Sequence, residues 1–146
     1  MPSFYQQVAK FCDRAEKKLT DGVAAFYVNF TTALIARTPV GDPSLWQDPP
    51  KPGYVPGTLA NSWFTTPSSP YMGKVRIPNS GASASYSNAS ARAKDLAGGI
   101  LYITNPTPYA NMIEYMGWSS QAPAGMTRIT AVEFEKHLRK GVRSVK

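Results

Sequence analysis

The sequence predicts an α+β fold, in which a long N-terminal helix and a C-terminal helix pack on a small, mainly antiparallel sheet beside a long Pro-rich loop or arm. Three observations predict it. Apolar residues recur at helical spacing over the first 35 residues. Six prolines then crowd into residues 38–58. Beyond them come short β-type runs and a second helical pattern. One domain over 1–146 is expected, organised as a long helix (3–37), a Pro-rich arm (38–58), an α+β core (59–142) and a basic tail (143–146).

The first helix rests on Phe4, Val8, Phe11, Ala15, Leu19, Val23, Phe26, Phe30 and Leu34, whose steps of three and four follow the 3.6-residue period. Ser3 and Gln6 have capping-box spacing, with Pro2 just outside. Asp13 and Lys17 form an i,i+4 pair in the favourable order. Gly22 marks a bend or a close contact, and Pro39 stops the helix at Thr38. Its length, roughly 50 Å at 1.5 Å per residue, exceeds the ~30 Å diameter of a domain this size. Part of it must project, bend or pack on another subunit. Cys12, the sole cysteine, excludes an internal disulfide and is expected as a small buried core residue.

Pro39, Pro43, Pro49, Pro50, Pro52 and Pro56 leave no regular element between residues 38 and 58. Trp46 and Tyr54 in that stretch need a surface to bury against. Either Trp46 folds back on its own core or the arm lies on a neighbouring subunit. Strands are expected near 62–67, 73–77 and 99–104. The first carries Trp63 to Thr66, the second the alternating run Lys74 to Ile77, and Pro67 to Gly73 connects the two as a hairpin-type loop. Residues 80–90 have the composition of a linker, while Ala89 to Ala97 has that of a short helix ending before Gly98-Gly99. Ile100 to Thr104 is a β-branched run between turn signals. Pro108 opens a helix to Met116 that Gly117 closes. The last helix spans about Thr127 to Gly141, with Ala131, Phe134, Leu138 and Val142 as its buried stripe.

The residues that carry chemistry are few. His137, the only histidine, is expected as a surface residue of the last helix. No His, Cys, Asp or Glu cluster has metal-ligand spacing, and Gly98-Gly99 lacks the Lys and Ser or Thr of a phosphate loop. The nine acidic residues form no obvious acid/base couple, Asp95 and Glu114 being a pair that only the fold can bring together. No apolar run approaches the roughly 18 residues of a membrane span. The N-terminus lacks the pattern of a secretory signal, so a cytoplasmic start is expected. The formal charge is +7, with a local excess at Arg128, Lys136, Arg139, Lys140, Arg143 and Lys146 against Glu133 and Glu135. That excess reads either as a solvated helix face or as a docking surface for an acidic protein or a nucleic-acid backbone.

One segment stands out: Ile103-Thr104-Asn105-Pro106-Thr107-Pro108-Tyr109-Ala110, then Glu114-Tyr115-Met116-Gly117, then Ser119-Ser120-Gln121-Ala122-Pro123-Ala124-Gly125-Met126 and a terminal helix. It resembles the neck or tail-completion proteins of long-tailed bacteriophages. Their pattern is a strand, Asn-x-x-Pro-Tyr-Ala, a Glu-Tyr-Gly ending, Ser-x-Gln-Ala-Pro-x-Gly-Met and a last helix. Two insertions depart from it: Thr107 before Pro-Tyr-Ala, and Met116 between Glu114-Tyr115 and Gly117. Upstream, Gly57-Thr58-Leu59-Ala60-Asn61-Ser62 is similar to the family's Thr-Gly-x-Leu-x-x-Ser with its first two residues reversed. The resemblance covers about half of the chain closely and the rest by layout.

Taken with that resemblance, Asn105, Pro108, Tyr109, Ala110, Glu114, Gly117, Gln121, Pro123 and Gly125 form a structural signature rather than a catalytic set. The family implies a virion protein, assembled in the host cytoplasm, that completes the tail end and joins it to the head connector as a ring subunit. A hexamer is expected first and a dodecamer second. The neighbours are connector, tail-terminator or tail-tube proteins. DNA only passes through the channel, and no membrane, cofactor or metal is implied. Trp46, Arg139, Lys140 and Arg143 are the expected docking residues. A lumen lined with unpaired Lys and Arg would hold passing phosphates, so these cations are expected to face partner proteins. Two other classes are a basic nucleic-acid-binding protein, argued from charge, and a small hydrolase, argued from Glu114 and His137. Glu114 sits late in a short helix, where the dipole disfavours an anion, so it requires a compensating Arg, Lys or backbone N–H.

Overall fold

Helix α1 runs from Phe4 to Ala36 in the computed structural model, which describes residues 1–79 and 81–145. Both bonds of the capping box are made, Gln6 N donating to Ser3 Oγ and Ser3 N to Gln6 Oε1, and Arg37 closes the helix ahead of Pro39. The remaining elements are α2 (Thr58–Asn61), β1 (Phe64–Thr66), α3 (Ser83–Arg92), β2 (Tyr102–Thr104), α4 (Ala110–Met116), α5 (Thr127–Val132) and α6 (Phe134–Ser144). A 3₁₀ turn (Pro43–Leu45) lies in the arm, and another (Ala93–Gly98) continues α3. β1 and β2 pair antiparallel, with Thr65 opposite Ile103. The architecture is α+β: a long first helix and a terminal helix around a two-stranded sheet.

The second half of α1 organises the core. Leu34 and Ile35 meet Leu59, Trp63, Ile113, Ala122 and Met126 in one cluster; Ala24, Phe26 and Tyr27 meet Ala89 and Ala93 in another. Two pairs show how polar groups enclosed with them are satisfied. Trp63 Nε1 donates to Thr38 Oγ1 at 2.8 Å, and Tyr27 Oη lies 2.7 Å from Thr65 Oγ1. The first half behaves otherwise: residues 1–19 are all exposed.

Several sequence expectations are corrected. Lys74 to Ile77 forms no strand, because side chains occupy the free edge of β1. Asn88 of α3 accepts from Thr65 N at 2.7 Å and donates to Thr65 O at 3.4 Å, imitating a neighbouring strand. Arg76 donates to Trp63 O at 3.1 Å and stacks on Phe64, whose other contact is the parallel ring of Tyr71. Residues 83–92 are helical, not linker. Lys17 pairs with Asp21 at 2.6 Å rather than with Asp13. Cys12 is exposed, since it lies on the half of α1 that no other described residue covers.

The terminal helix also differs. It breaks at Glu133, and α6 continues past Gly141 to Ser144. Gly141 is an internal residue that lets α6 approach α1. A Cβ there would stand 2.3 Å from Phe26 N. The buried face is Thr130, His137 and Gly141, while Ala131, Phe134 and Val142 are largely exposed. His137 is therefore not a surface residue. The expectation of no membrane-length apolar stretch is corrected too: α1 is long and apolar enough to cross a membrane by length and composition. Of its most apolar 18 residues, 39% are buried inside the chain.

Candidate functional site

The signature residues converge on one loop-rich unit joining β2, α4 and α5. Asn105 opens it. Its Nδ2 donates to Leu59 O at 2.8 Å, while its Oδ1 accepts from both the N–H and the hydroxyl of Thr107. This Asx turn uses the inserted Thr107 and joins α2 to the approach of α4. Pro108 is exposed in the turn that follows. Tyr109 and Ala110, both half-buried, pack on the Leu34 cluster beside Ile113. Burial pushes the Tyr109 hydroxyl up to about 12, with a smaller contribution from Tyr54.

Glu114 is the centre of the unit. It is buried, and its carboxylate accepts from three successive backbone N–H groups at the start of α5: Met126 at 2.7 Å, Thr127 at 2.9 Å and Arg128 at 3.0 Å. Arg128 adds an ion pair at 3.4 Å, and its guanidinium donates to the Glu114 carbonyl. Burial raises a carboxyl pKa; here the N–H groups of Thr127, Arg128 and Met126 and the charge of Arg128 outweigh it, so Glu114 lies below its ordinary value. The compensation expected from its unfavourable helix position is thus supplied by another helix's N-terminus.

Two glycines permit this geometry. Gly117 ends α4 in the left-handed region, at φ +65°, with the inserted Met116 as the last helical residue. The carbonyl of the exposed Pro123 lies 4.0 Å from where a Gly117 Cβ would stand. Gly125 has φ +87°, and a Cβ there would stand 2.8 Å from Glu114 Oε1. Any side chain at Gly125 would displace the carboxylate from the amides it caps.

Gln121 links this unit to the arm. Its Nε2 donates to Val40 O at 3.0 Å, and its Oε1 accepts from Val40 N at 3.2 Å. Within the arm, Trp46 leans on Tyr54 with ring centres 4.9 Å apart, and Tyr54 faces Tyr109 at 6.4 Å. Trp46 thus packs on Tyr54 within the arm, and Tyr54 links it to Tyr109, while Trp46 remains 42% exposed.

The C-terminal cations occupy a different place. Arg139 pairs with Glu135, and Lys136 lies 3.5 Å from Glu133. Lys140 and Arg143 are exposed and form no ion pair among the described residues. Together these side chains line a shallow open groove along α6. Lys146 lies outside the described residues. Asp95 pairs with Arg92, leaving Asp95 and Glu114 with separate partners. The described residues contain no group of three His, Cys, Asp or Glu able to hold a metal ion.

Sequence reasoning missed the polar knot behind α6. Arg37 donates to Glu133 Oε2 at 2.6 Å and to Thr130 Oγ1 at 3.3 Å. His137 Nε2 lies 3.4 Å from the same carboxylate and makes no hydrogen bond among the described residues. Burial lowers the pKa of His137, the Glu133 charge opposes that, and Lys136 and Arg37 reinforce it. The available signal was the helical alignment of Thr130, His137 and Gly141, a stripe without large apolar residues. No family model, curated protein or solved structure matches the chain.

Proposed function

We propose that this chain is a structural subunit of the neck of a long-tailed bacteriophage, completing the tail end and joining it to the head connector as a member of a ring. The observation that carries the reading is the folding of the whole signature, from Asn105 to Gly125, into one scaffold around a saturated carboxylate. Glu114 meets three amides and an arginine, an arrangement suited to fixing a loop between helices and poorly suited to exchanging protons. The exposed first half of α1 supports a subunit that completes its packing in an assembly. A hexamer is the favoured stoichiometry, with a dodecamer second. Connector, tail-terminator and tail-tube proteins are the neighbours, and DNA is a passing cargo.

The test is genetic and microscopic. A phage carrying a stop codon early in the reading frame for this chain should accumulate DNA-filled heads and separate tails, and supplying the chain in trans should restore joined particles. Normally joined, infectious particles lacking the chain would reject the proposal.

A further inference from the structure

The exposed half of α1 carries a stripe with an unusual distribution of charge. Phe4, Val8, Phe11, Ala15 and Leu19 lie along one side of the helix, and among the described residues nothing buries any position from Phe4 to Leu19. The same stripe continues beneath α6, where Phe26 meets Gly141 and Gly22 meets Val142. Cover ends with α6, so an apolar track that is core at one end becomes surface at the other. A row of large apolar side chains left in water is unusual for a chain that works alone. The Phe4 to Leu19 segment therefore needs a surface to cover it.

We infer that a second copy of this chain covers the stripe, with the α1 helices of neighbouring copies lying parallel and side by side around a rotation axis. The inference rests on the ring-subunit reading and names the interface that reading leaves open. Two observations choose this occupant. The first is area. Phe4, Tyr5 and Phe11 are 75%, 84% and 66% exposed. At about 150–250 Å² per aromatic side chain they present roughly 400 Å². An ordinary interface takes about 800 Å² per partner, a little over half of it apolar, so Phe4 and Phe11 of the stripe, with Tyr5 on its flank, supply about the apolar share that one side requires.

The second is charge. At 100° per residue, Gln7, Arg14 and Lys18 fall on one flank of the stripe, and Tyr5, Cys12 and Glu16 on the other. Parallel neighbours set the flank bearing Arg14 and Lys18 against the flank bearing Glu16 at the same height, since Glu16 lies midway between the two cations. The opposite end of that contact brings Gln7 near Tyr5. An antiparallel pair related by a two-fold axis would instead turn each flank toward its own copy and set cations beside cations with no acid between them. The segregation of charge thus selects the parallel arrangement that rotational symmetry produces.

The experiment is sedimentation velocity on the full chain and three variants. Phe11→Asp tests the stripe, Glu16→Arg tests the flank, and a swap combining Glu16→Arg with Arg14→Glu and Lys18→Glu tests the orientation. All four substituted positions are exposed and lie outside the α+β core, so every variant should keep a cooperative melting transition of that core, while loss of association should at most reduce the helical signal of Phe4 to Leu19. Wild type should sediment as an oligomer and Phe11→Asp as a monomer. Glu16→Arg should weaken association by about tenfold, equivalent to roughly 1.4 kcal/mol, and the swap should restore it. An oligomer unaffected by Phe11→Asp, or a Glu16→Arg defect that the swap does not repair, would overturn the inference while leaving the neck assignment standing. A wild-type chain that stays monomeric, whether or not it binds lipid vesicles or another protein, would also overturn it. The genetic test above then decides the neck assignment separately.

Discussion

At the scale of single residues, Glu114 and His137 have opposite relations to their surroundings. The Glu114 carboxylate is satisfied by three amides and an arginine. Glu114→Gln keeps the shape but loses the charge, and the chain should lose about 1.5–3 kcal/mol of unfolding free energy, the range for hydrogen bonds to a charged group. Chemical denaturation of the two proteins measures this directly. Tyr109→Ala should cost about 2–3 kcal/mol, below the 3–5 of a fully enclosed aromatic, because the Tyr109 ring is only half-buried.

Both titrating groups make acid destabilising. His137 has a folded pKa below its ordinary 6.5, so the unfolded chain binds more protons as pH falls through that value. Glu114 lies below its ordinary 4.5, so its stabilisation is full above that pH and is lost as pH drops toward the folded value. The melting temperature should therefore fall in two stages, first below about pH 6.5 and again below about pH 4.5. His137→Gln should remove the first stage, and Glu114→Gln should shrink the second, to which Glu133 beside Arg37 also contributes. A melting temperature that rises on acidification to pH 5.5 would contradict the burial of an uncharged His137.

At the scale of elements, the approach of α6 to α1 depends on Gly141. A methyl group there would run into the Phe26 backbone, and Gly141→Ala should destabilise the chain by about 1–3 kcal/mol as an overpacking substitution. Gly22→Ala, with its nearest neighbour 3.8 Å away, should be tolerated or slightly stabilising through helix propensity. The pair of melting curves distinguishes a true close crossing from a general dislike of side chains between these helices. Long helices were legible from the sequence because their periodicity extends over many turns, and the Ser3–Gln6 cap and the Gly117 terminator were legible because their chemistry is local. The strand at Lys74 to Ile77 was misread for the converse reason. Alternation describes one side of an extended segment but not its partner, and the edge that segment would have joined is taken by Asn88 and Arg76. The last helix was expected to end near Gly141, but that glycine lets α6 touch α1 and the helix runs on to Ser144. Of the signature, the need to compensate Glu114 was readable from its place in α4. The identity of the donors, 12 to 14 residues ahead, was not, since it depends on the turn at Gly125.

At the scale of the whole molecule, the charge of +7 has unequal local roles. Arg37, Arg76 and Arg128 are committed within the fold, Arg139 is held by Glu135, and Lys140 and Arg143 face outward beside it. Reversing Arg139, Lys140 and Arg143 to Glu together should leave folding intact and reduce head–tail joining, while the particles that do join should package and eject DNA normally. The central claim is that this chain occupies the neck as a ring. A cryo-electron reconstruction of the neck, from a particle assembled with this chain carrying a small C-terminal density tag, tests that claim most directly. The account predicts six copies of the tag in one ring between the head connector and the tail tube, or twelve if the ring follows the connector's symmetry. Tag density confined to the capsid shell or the distal tail tip, or missing from the particle altogether, would contradict it.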